Sequence, residues 1–300
     1  MTTCNHHDGF SKFARNEHSQ FGEDGIIEAV LDNLRFKDNW CVEFGAWDGI
    51  HLSNTFNLIK NFSYNAVLIE ANKRKFRELV TNMSPYNVVV KNSFITFEGP
   101  NTLDNLLSDT DVPLNFDLLS IDIDGNDYWI FESITSYHPK LICVEYNPSI
   151  PNDVDYIQPR DFSIKRGASA KSLCSLALKK GYELVATTQT NLIFVDSIIY
   201  ADMPLKDNSL SFLRDDSDCK VYVFTGYDGE VILSQPLHFY WHSLNVTQKN
   251  FQYLPSYLRE FPSDYTLFQK FLFALFLIAK SPLGGFKRIS KKLQNLLFDS

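Results

Sequence analysis

Between residues 40 and 196 the chain alternates short apolar runs with segments of helical periodicity, and it breaks that alternation once. Apolar runs at 40–44, 66–70, 87–90, 116–122 and 140–145 read as five strands. Helical segments fall between them: one capped by Ser53 and running through Phe56, Leu58 and Ile59, one over 73–82, a short one over 102–107, and one through Trp129 and Ile134. A further helix over 169–180 ends at Gly181. Strands that are apolar throughout and separated by helices predict a parallel sheet covered on both faces. The exception is the pair 182–187 and 192–195, joined only by Thr188-Gln189-Thr190-Asn191. A parallel crossover needs about a dozen residues or more, so this pair must be an antiparallel hairpin. The predicted fold class is therefore α/β, a doubly wound, mostly parallel sheet with one antiparallel strand.

A length of 300 residues suits one large domain with a modest extension. Residues 1–18 read as a polar lead-in, in which His6 and His7 belong to a flexible tail. The main domain is expected over 19–200, beginning with a helix that Ser19 caps and that carries Ile26, Ile27, Val30, Leu31 and Leu34. An extension over 201–265 contains a hairpin, 220–224 against 231–234, around Gly226-Tyr227-Asp228-Gly229. The Tyr- and Pro-rich stretch 240–265 has no assignable period. Residues 266–300 read as C-terminal helices, apolar over 271–279 and basic beyond.

Charge and cysteine usage narrow the partners. A net charge of -8 disfavours a polyphosphate, so no nucleic-acid partner is expected. A small molecule, a glycan or a protein fits better. The five cysteines are odd in number and form no C-x-x-C, while Cys41 and Cys143 sit in core strands. That pattern suits reduced thiols and a cytoplasmic protein. The first eight residues hold no apolar signal segment.

In an open α/β sheet the ligand sits outside the carboxyl ends of the strands, at the switch point. The loop after the first strand is Glu43-Phe44-Gly45-Ala46-Trp47-Asp48-Gly49. It lacks the G-x-G-x-x-G of a pyrophosphate site. A cationic cofactor without phosphates needs no such loop, and Glu43 and Asp48 suit its positive groups. Glu70 closes the second strand, where a carboxylate can accept from both ribose hydroxyls. The fourth strand ends Asp122-Ile123-Asp124-Gly125-Asn126-Asp127. Asp122 and Asp124 would share a face if the strand continued. Such a like-charge cluster raises a member's pKa towards that of a general base. Its oxygens also suit Mg²⁺, with Asp122, Asp124 and Asp127 as ligands. It is no EF-hand, because loop position 12 is Ser133. Glu145 ends the fifth strand on the same rim. His238 and His242 are four apart but not in a helical pattern, so they make no metal site.

Four stretches in order, 42–49, 68–70, Asn101-Thr102-Leu103-Asp104 and 117–125, resemble the FkbM-type S-adenosylmethionine-dependent methyltransferases. The opening Ser19-Gln20-Phe21-Gly22-Glu23-Asp24-Gly25 resembles one subgroup, and the match covers residues 19–196. The resemblance implies a methyltransferase-like Rossmann fold. It also implies a cofactor site around Glu43, Gly45, Ala46, Asp48, Gly49, Glu70 and Ala71, and O-methylation of a hydroxyl on a small molecule or sugar. Asp124 and Asp127 stand where the family usually carries glutamates. The expected activity is an O-methyltransferase with Asp122, Asp124 and Glu145 as catalytic candidates and S-adenosylmethionine, with Mg²⁺ as an option, as cofactors. The rivals are an NAD-dependent oxidoreductase and a non-catalytic scaffold of a glycan-assembly complex. Residues 280–300 carry a net charge of +4, with Phe286, Ile289, Leu293, Leu296 and Leu297 on one helical stripe. Two readings of the segment 266–300 stand: it covers the helices of the sheet, or it makes peripheral contact with an anionic membrane.

Overall fold

The computed structural model describes residues 9–280. His6, His7 and the basic stripe beyond Lys280 lie outside the described residues. The chain forms two compact units, the first ending at Cys219 and the second beginning at Lys220.

The first unit holds seven strands: β1 Trp40–Phe44, β2 Asn65–Ile69, β3 Val88–Lys91, β4 Leu118–Ile121, β5 Leu141–Glu145, β6 Tyr182–Thr187 and β7 Asn191–Asp196. They lie in the order β3-β2-β1-β4-β5-β7-β6. β1 to β5 are mutually parallel, and β7 runs antiparallel between β5 and β6. This is the predicted doubly wound sheet with its one antiparallel strand, the arrangement of methyltransferase-like sheets. The strand order reverses between β1 and β4, which opens a crevice at their carboxyl ends.

The helices are α1 Glu23–Leu31, α2 Phe56–Phe62, α3 Lys73–Met83, α4 Leu103–Leu107, α5 Asp127–Ser133, α6 Ala170–Lys179, α7 Ser197–Tyr200 and α8 Leu210–Leu213. Two-residue alternation sends each strand's side chains to opposite faces. Cys41, Leu68, Leu118 and Cys143 pack with Ile27, Ile59 and Leu79 of α1, α2 and α3. Val42, Phe44, Leu119 and Val144 pack with Leu107, Phe131 and Leu173 of α4, α5 and α6. Both faces are therefore covered, and that coverage is why the strands are apolar throughout.

Three boundaries differ from the sequence reading. The first helix starts at Glu23, not at Ser19. Ser19 Oγ still accepts the Asp24 N–H at 3.1 Å, while Asp24 Oδ2 accepts the N–H groups of Glu17, His18 and Ser19. The chain turns at Gly22, at a φ of 100°, before the helix begins. The expected lead-in is packed from Gly9 onward: a 3₁₀ turn buries Phe10 in the core. Residues 201–219 belong to the first unit and not to the extension.

The second unit has two small hairpins. β8 Val223–Thr225 pairs with β9 Val231–Leu233, as expected, and β10 Leu237–Phe239 pairs with β11 Leu244–Val246, the latter inside the stretch 240–265 that had no assignable period. α9 Leu267–Lys280 follows. Among the described residues of this unit, Leu233, Leu258 and Tyr265 are the buried apolar ones. Among the described residues no helix is long and apolar enough to cross a membrane.

Candidate functional site

β1 delivers the chain to the crevice and Gly45 turns it. Gly45 has a φ of 74°, and a Cβ there would lie 1.8 Å from the Asp122 carbonyl oxygen, so no other residue fits. The loops after β1 and β4 thus touch across the switch point. The Trp47 N–H donates to Glu70 Oε2 at 2.8 Å, and the Asn72 N–H donates to Oε1 at 2.5 Å. Glu70 is buried and holds this loop, yet each oxygen keeps a second lone pair for a ligand.

The loops enclose a cleft of about 590 Å³, inside the roughly 300–1,000 Å³ usual for small-molecule sites. Gly45, Ala46, Trp47, Glu70 and Ala71 line one part, and Asp122, Asp124 and Asn126 another. The sequence reading missed the aromatic wall. Phe94, after β3, and Phe162, in the β5–α6 connection, line the cleft and meet edge to face with centroids 4.9 Å apart. Phe162 stacks flat on Phe97 at 4.6 Å, and the Arg160 guanidinium lies 4.4 Å from the Phe97 ring centre. The strand-end rule, applied to the third strand as to the others, would have pointed at Phe94; nothing local marks Phe162.

Three expected cofactor residues have other work. Glu43 borders the cleft, but Ser53 Oγ and Thr55 Oγ1 donate to its Oε2 at 2.6 and 2.7 Å, and the Asn54 N–H donates to Oε1 at 2.9 Å. Burial raises its pKa against those three donors. It anchors the entry to α2 rather than standing free for a cationic group. Asp48 lies outside the cleft lining and accepts the N–H groups of Ile50 and His51 at 3.0 and 2.8 Å, closing its own turn. Gly49, also outside the lining, has a φ of 78°, and a Cβ there would lie 2.6 Å from Leu79, so its smallness serves packing on α3.

The acidic cluster is real but differently composed. Asp122, Asp127 and Glu145 each bring one carboxylate oxygen to within 4.8 Å of the others. Asp124 does not join them. β4 stops at Ile121, and Asp124 turns outward with a φ of 56°, exposed and 3.5 Å from Lys165 Nζ. The expected catalytic and metal roles of Asp124 therefore lapse, and Glu145 takes its place beside Asp122. Asp127, at the start of α5, accepts the N–H groups of Ile123 and Gly125, both at 2.9 Å.

Electrostatics single out Asp122. Its side chain is exposed to the cleft. Desolvation, then the charges of Asp127, Asp124 and Glu43, push its pKa up to about 7. Desolvation and the Asp122 charge push Glu145 up to about 10, and burial pushes Asp127 up to about 6. At neutral pH Glu145 holds a proton and hydrogen-bonds to Asp122. The pair works as one acid and one poised base.

No family model matches the chain, and no curated protein matches it either. Solved structures do. A methyltransferase of Clostridium acetobutylicum dependent on S-adenosylmethionine is similar at 11% identity over 58% of this chain and 90% of its own, with a TM-score of 0.37. The amino pentose methyltransferase CalS10 of Micromonospora echinaspora is similar at 9% identity over 58% and 89%, with a TM-score of 0.36. TrmK of M. capricolum, in complex with S-adenosyl-homocysteine, is similar at 13% identity and a TM-score of 0.34 over 56% of this chain; the match spans 65% of that chain. Likeness this distant carries no argument about activity, and the fold rests on the strand order.

Proposed function

We propose that the protein is an S-adenosylmethionine-dependent methyltransferase that methylates a hydroxyl oxygen on a small molecule or glycan. One observation carries the reading: Asp122 lines a cleft that Gly45 and Glu70 shape at the switch point, with Asp127 and Glu145 close beside it. The residues fit the cofactor. Glu70 keeps lone pairs for ribose hydroxyls, Phe94 and Phe162 offer an aromatic wall for a flat base, and Asp122 gives the cleft negative charge. Bound there, S-adenosylmethionine supplies an electrophilic methyl group on a sulfonium. Asp122 accepts the acceptor's hydroxyl proton. Glu145 keeps its own proton and, by donating to Asp122, holds that carboxylate in place. The cleft positions the acceptor oxygen for attack.

Asp122, Asp127 and Glu145 also form a hard-oxygen donor set that fits Mg²⁺, which would lower the pKa of the acceptor hydroxyl. Membership of the FkbM-type family rests on the order of the motifs, three of which reach this cleft. The fourth is structural: Thr102 caps α4, and Asp104 accepts from Thr135 and Ser136. Among the described residues Cys41, Cys143, Cys174 and Cys219 are free, the first two in the core, which supports a cytoplasmic reading.

Thermal unfolding with each cofactor tests the proposal. S-adenosylmethionine at about 100 times its dissociation constant stabilises a one-site binder by about 2.7 kcal/mol. The expected result is a rise in Tm with S-adenosylmethionine and none with NAD. A rise with NAD alone favours the oxidoreductase, and no rise with either favours the scaffold. A panel of hydroxylated acceptors, with and without EDTA, then finds the substrate class and the need for metal.

A further inference from the structure

The second unit carries an apolar face whose chemistry the methyl-transfer reading does not use. α9 has the sequence LFQKFLFALFLIAK, and none of its residues is fully buried. Its two sides behave differently. Gln269 donates to the Tyr257 carbonyl at 3.2 Å and to Glu260 at 3.0 Å. Phe273 meets Tyr265 edge to face at 5.7 Å, and Phe276 meets Tyr253 at 5.6 Å. These three residues share one side, because 269, 273 and 276 are spaced by four and three.

The opposite side presents Leu267, Phe268, Phe271 and Leu275, which are 85%, 68%, 58% and 47% exposed. The same periodicity lines them up as one stripe. The stripe has no acid on it, and Lys270 lies at its margin. A continuous row of leucine and phenylalanine in water marks a surface built to meet something apolar.

Charge tells which kind of surface. Lys280 ends the helix, and Lys287, Arg288, Lys291 and Lys292 follow it in sequence against the single acid Asp299. Residues 280–300 therefore carry +4, while the rest of a chain of net charge -8 carries -12. In sequence, the apolar helix is thus followed directly by the basic segment of an otherwise acidic chain. Apolar side chains beside a cationic cluster complement a lipid–water interface that is apolar within and anionic at its surface.

We propose that α9 docks on an anionic bilayer, with Leu267, Phe268, Phe271 and Leu275 entering the interface and the basic residues from Lys280 onward meeting the headgroups. The helix lies in the interface and does not cross it: its 14 residues fall short of the roughly 20 that span a bilayer.

Vesicle flotation of the full chain tests this, using neutral phosphatidylcholine vesicles and vesicles with about a third phosphatidylserine. The full chain should float with the anionic vesicles at low salt and stay at the bottom with the neutral ones. Phe268→Ser combined with Phe271→Ser should cut the floating fraction at least ten-fold. A second variant, Lys287→Gln, Arg288→Gln, Lys291→Gln and Lys292→Gln together, alters no residue of the described fold. It should lose binding to a similar degree, as should the wild-type chain at 0.5 M salt. Thermal unfolding of both variants at the wild-type temperature shows that the loss is one of binding. The proposal is overturned if the wild-type chain stays at the bottom with anionic vesicles. It is equally overturned if light scattering shows a dimer that the phenylalanine variant converts to monomer while vesicle binding is absent, since a second copy would then be the occupant.

Discussion

At the scale of single residues, the account turns on one proton. Asp122 has its pKa raised to about 7 and sits beside Glu145, raised to about 10, so near pH 7 about half of the molecules present an ionised Asp122. A base acts only when deprotonated, so kcat/KM should rise with pH and level off above about 7. Asp122→Asn is nearly isosteric but takes up no proton at neutral pH. It should keep cofactor affinity within about two-fold and lose at least roughly a hundred-fold in kcat, the usual scale of general-base catalysis. Steady-state kinetics on an accepted substrate check both statements. A variant with wild-type turnover removes Asp122 from the role.

The residue scale is also where the sequence was read least well. That Asp122, Glu70 and Gly45 would lie at the cleft was legible because strand ends at a switch point have one place to go. Asp124 was misread because alternation was extended three residues past Ile121, the last paired residue of β4. The left-handed turn there cannot be inferred from charge spacing. Glu43 and Asp48 were misread for another reason: an acid near a loop is as readily consumed by the loop's own N–H groups as by a ligand, and only coordinates tell the two apart.

At the scale of elements, the Gly45 turn lets the loops that leave the paired strands β1 and β4 meet at their carboxyl ends. Gly45→Ala places a Cβ 1.8 Å from the Asp122 carbonyl oxygen. The left-handed φ alone costs a non-glycine residue about 1–2 kcal/mol, and the clash adds to it. Denaturant unfolding should show a loss of at least about 2 kcal/mol, with cofactor binding weakened as well. A variant of unchanged stability would mean that the loops do not approach as described. Helix starts were legible wherever a capping side chain does its usual work: Thr102 Oγ1 accepts from Asn105, and Ser169 Oγ from Ser172. Ser19 deceived because its reciprocal bond with Asp24 spans a glycine turn instead of a first helical turn. The β10–β11 hairpin escaped notice because strands of three residues are too short to show a period of two.

At the scale of the whole molecule, the sheet was legible almost strand by strand. Burial on both faces forces a run of apolar residues, and a link of few residues forces the antiparallel turn. The placement of the Asp122, Asp127 and Glu145 carboxylates carries a further cost that global stability should report. Their folded pKa values of about 7, 6 and 10 exceed unfolded values near 4, so the unfolded chain gives up protons first. The stabilisation from the protonated groups is complete below about pH 4 and is lost as pH rises through about 6 and 7 towards 10. The Tm should therefore fall from pH 5 to pH 8. The fall should be shallower in Glu145→Gln, whose amide mimics the protonated acid. Equal slopes in the two proteins would contradict a shared proton.

The central claim is that the cleft at the switch point holds S-adenosylmethionine through Glu70. Calorimetric titration of the wild-type chain and of Glu70→Ala tests it most directly. Losing hydrogen bonds from a charged acceptor costs about 1.5–3 kcal/mol. The account therefore predicts one binding site in the wild type and an affinity roughly 10- to 150-fold weaker in the variant. Absence of binding to the wild-type chain, or equal dissociation constants for the two proteins, would contradict it.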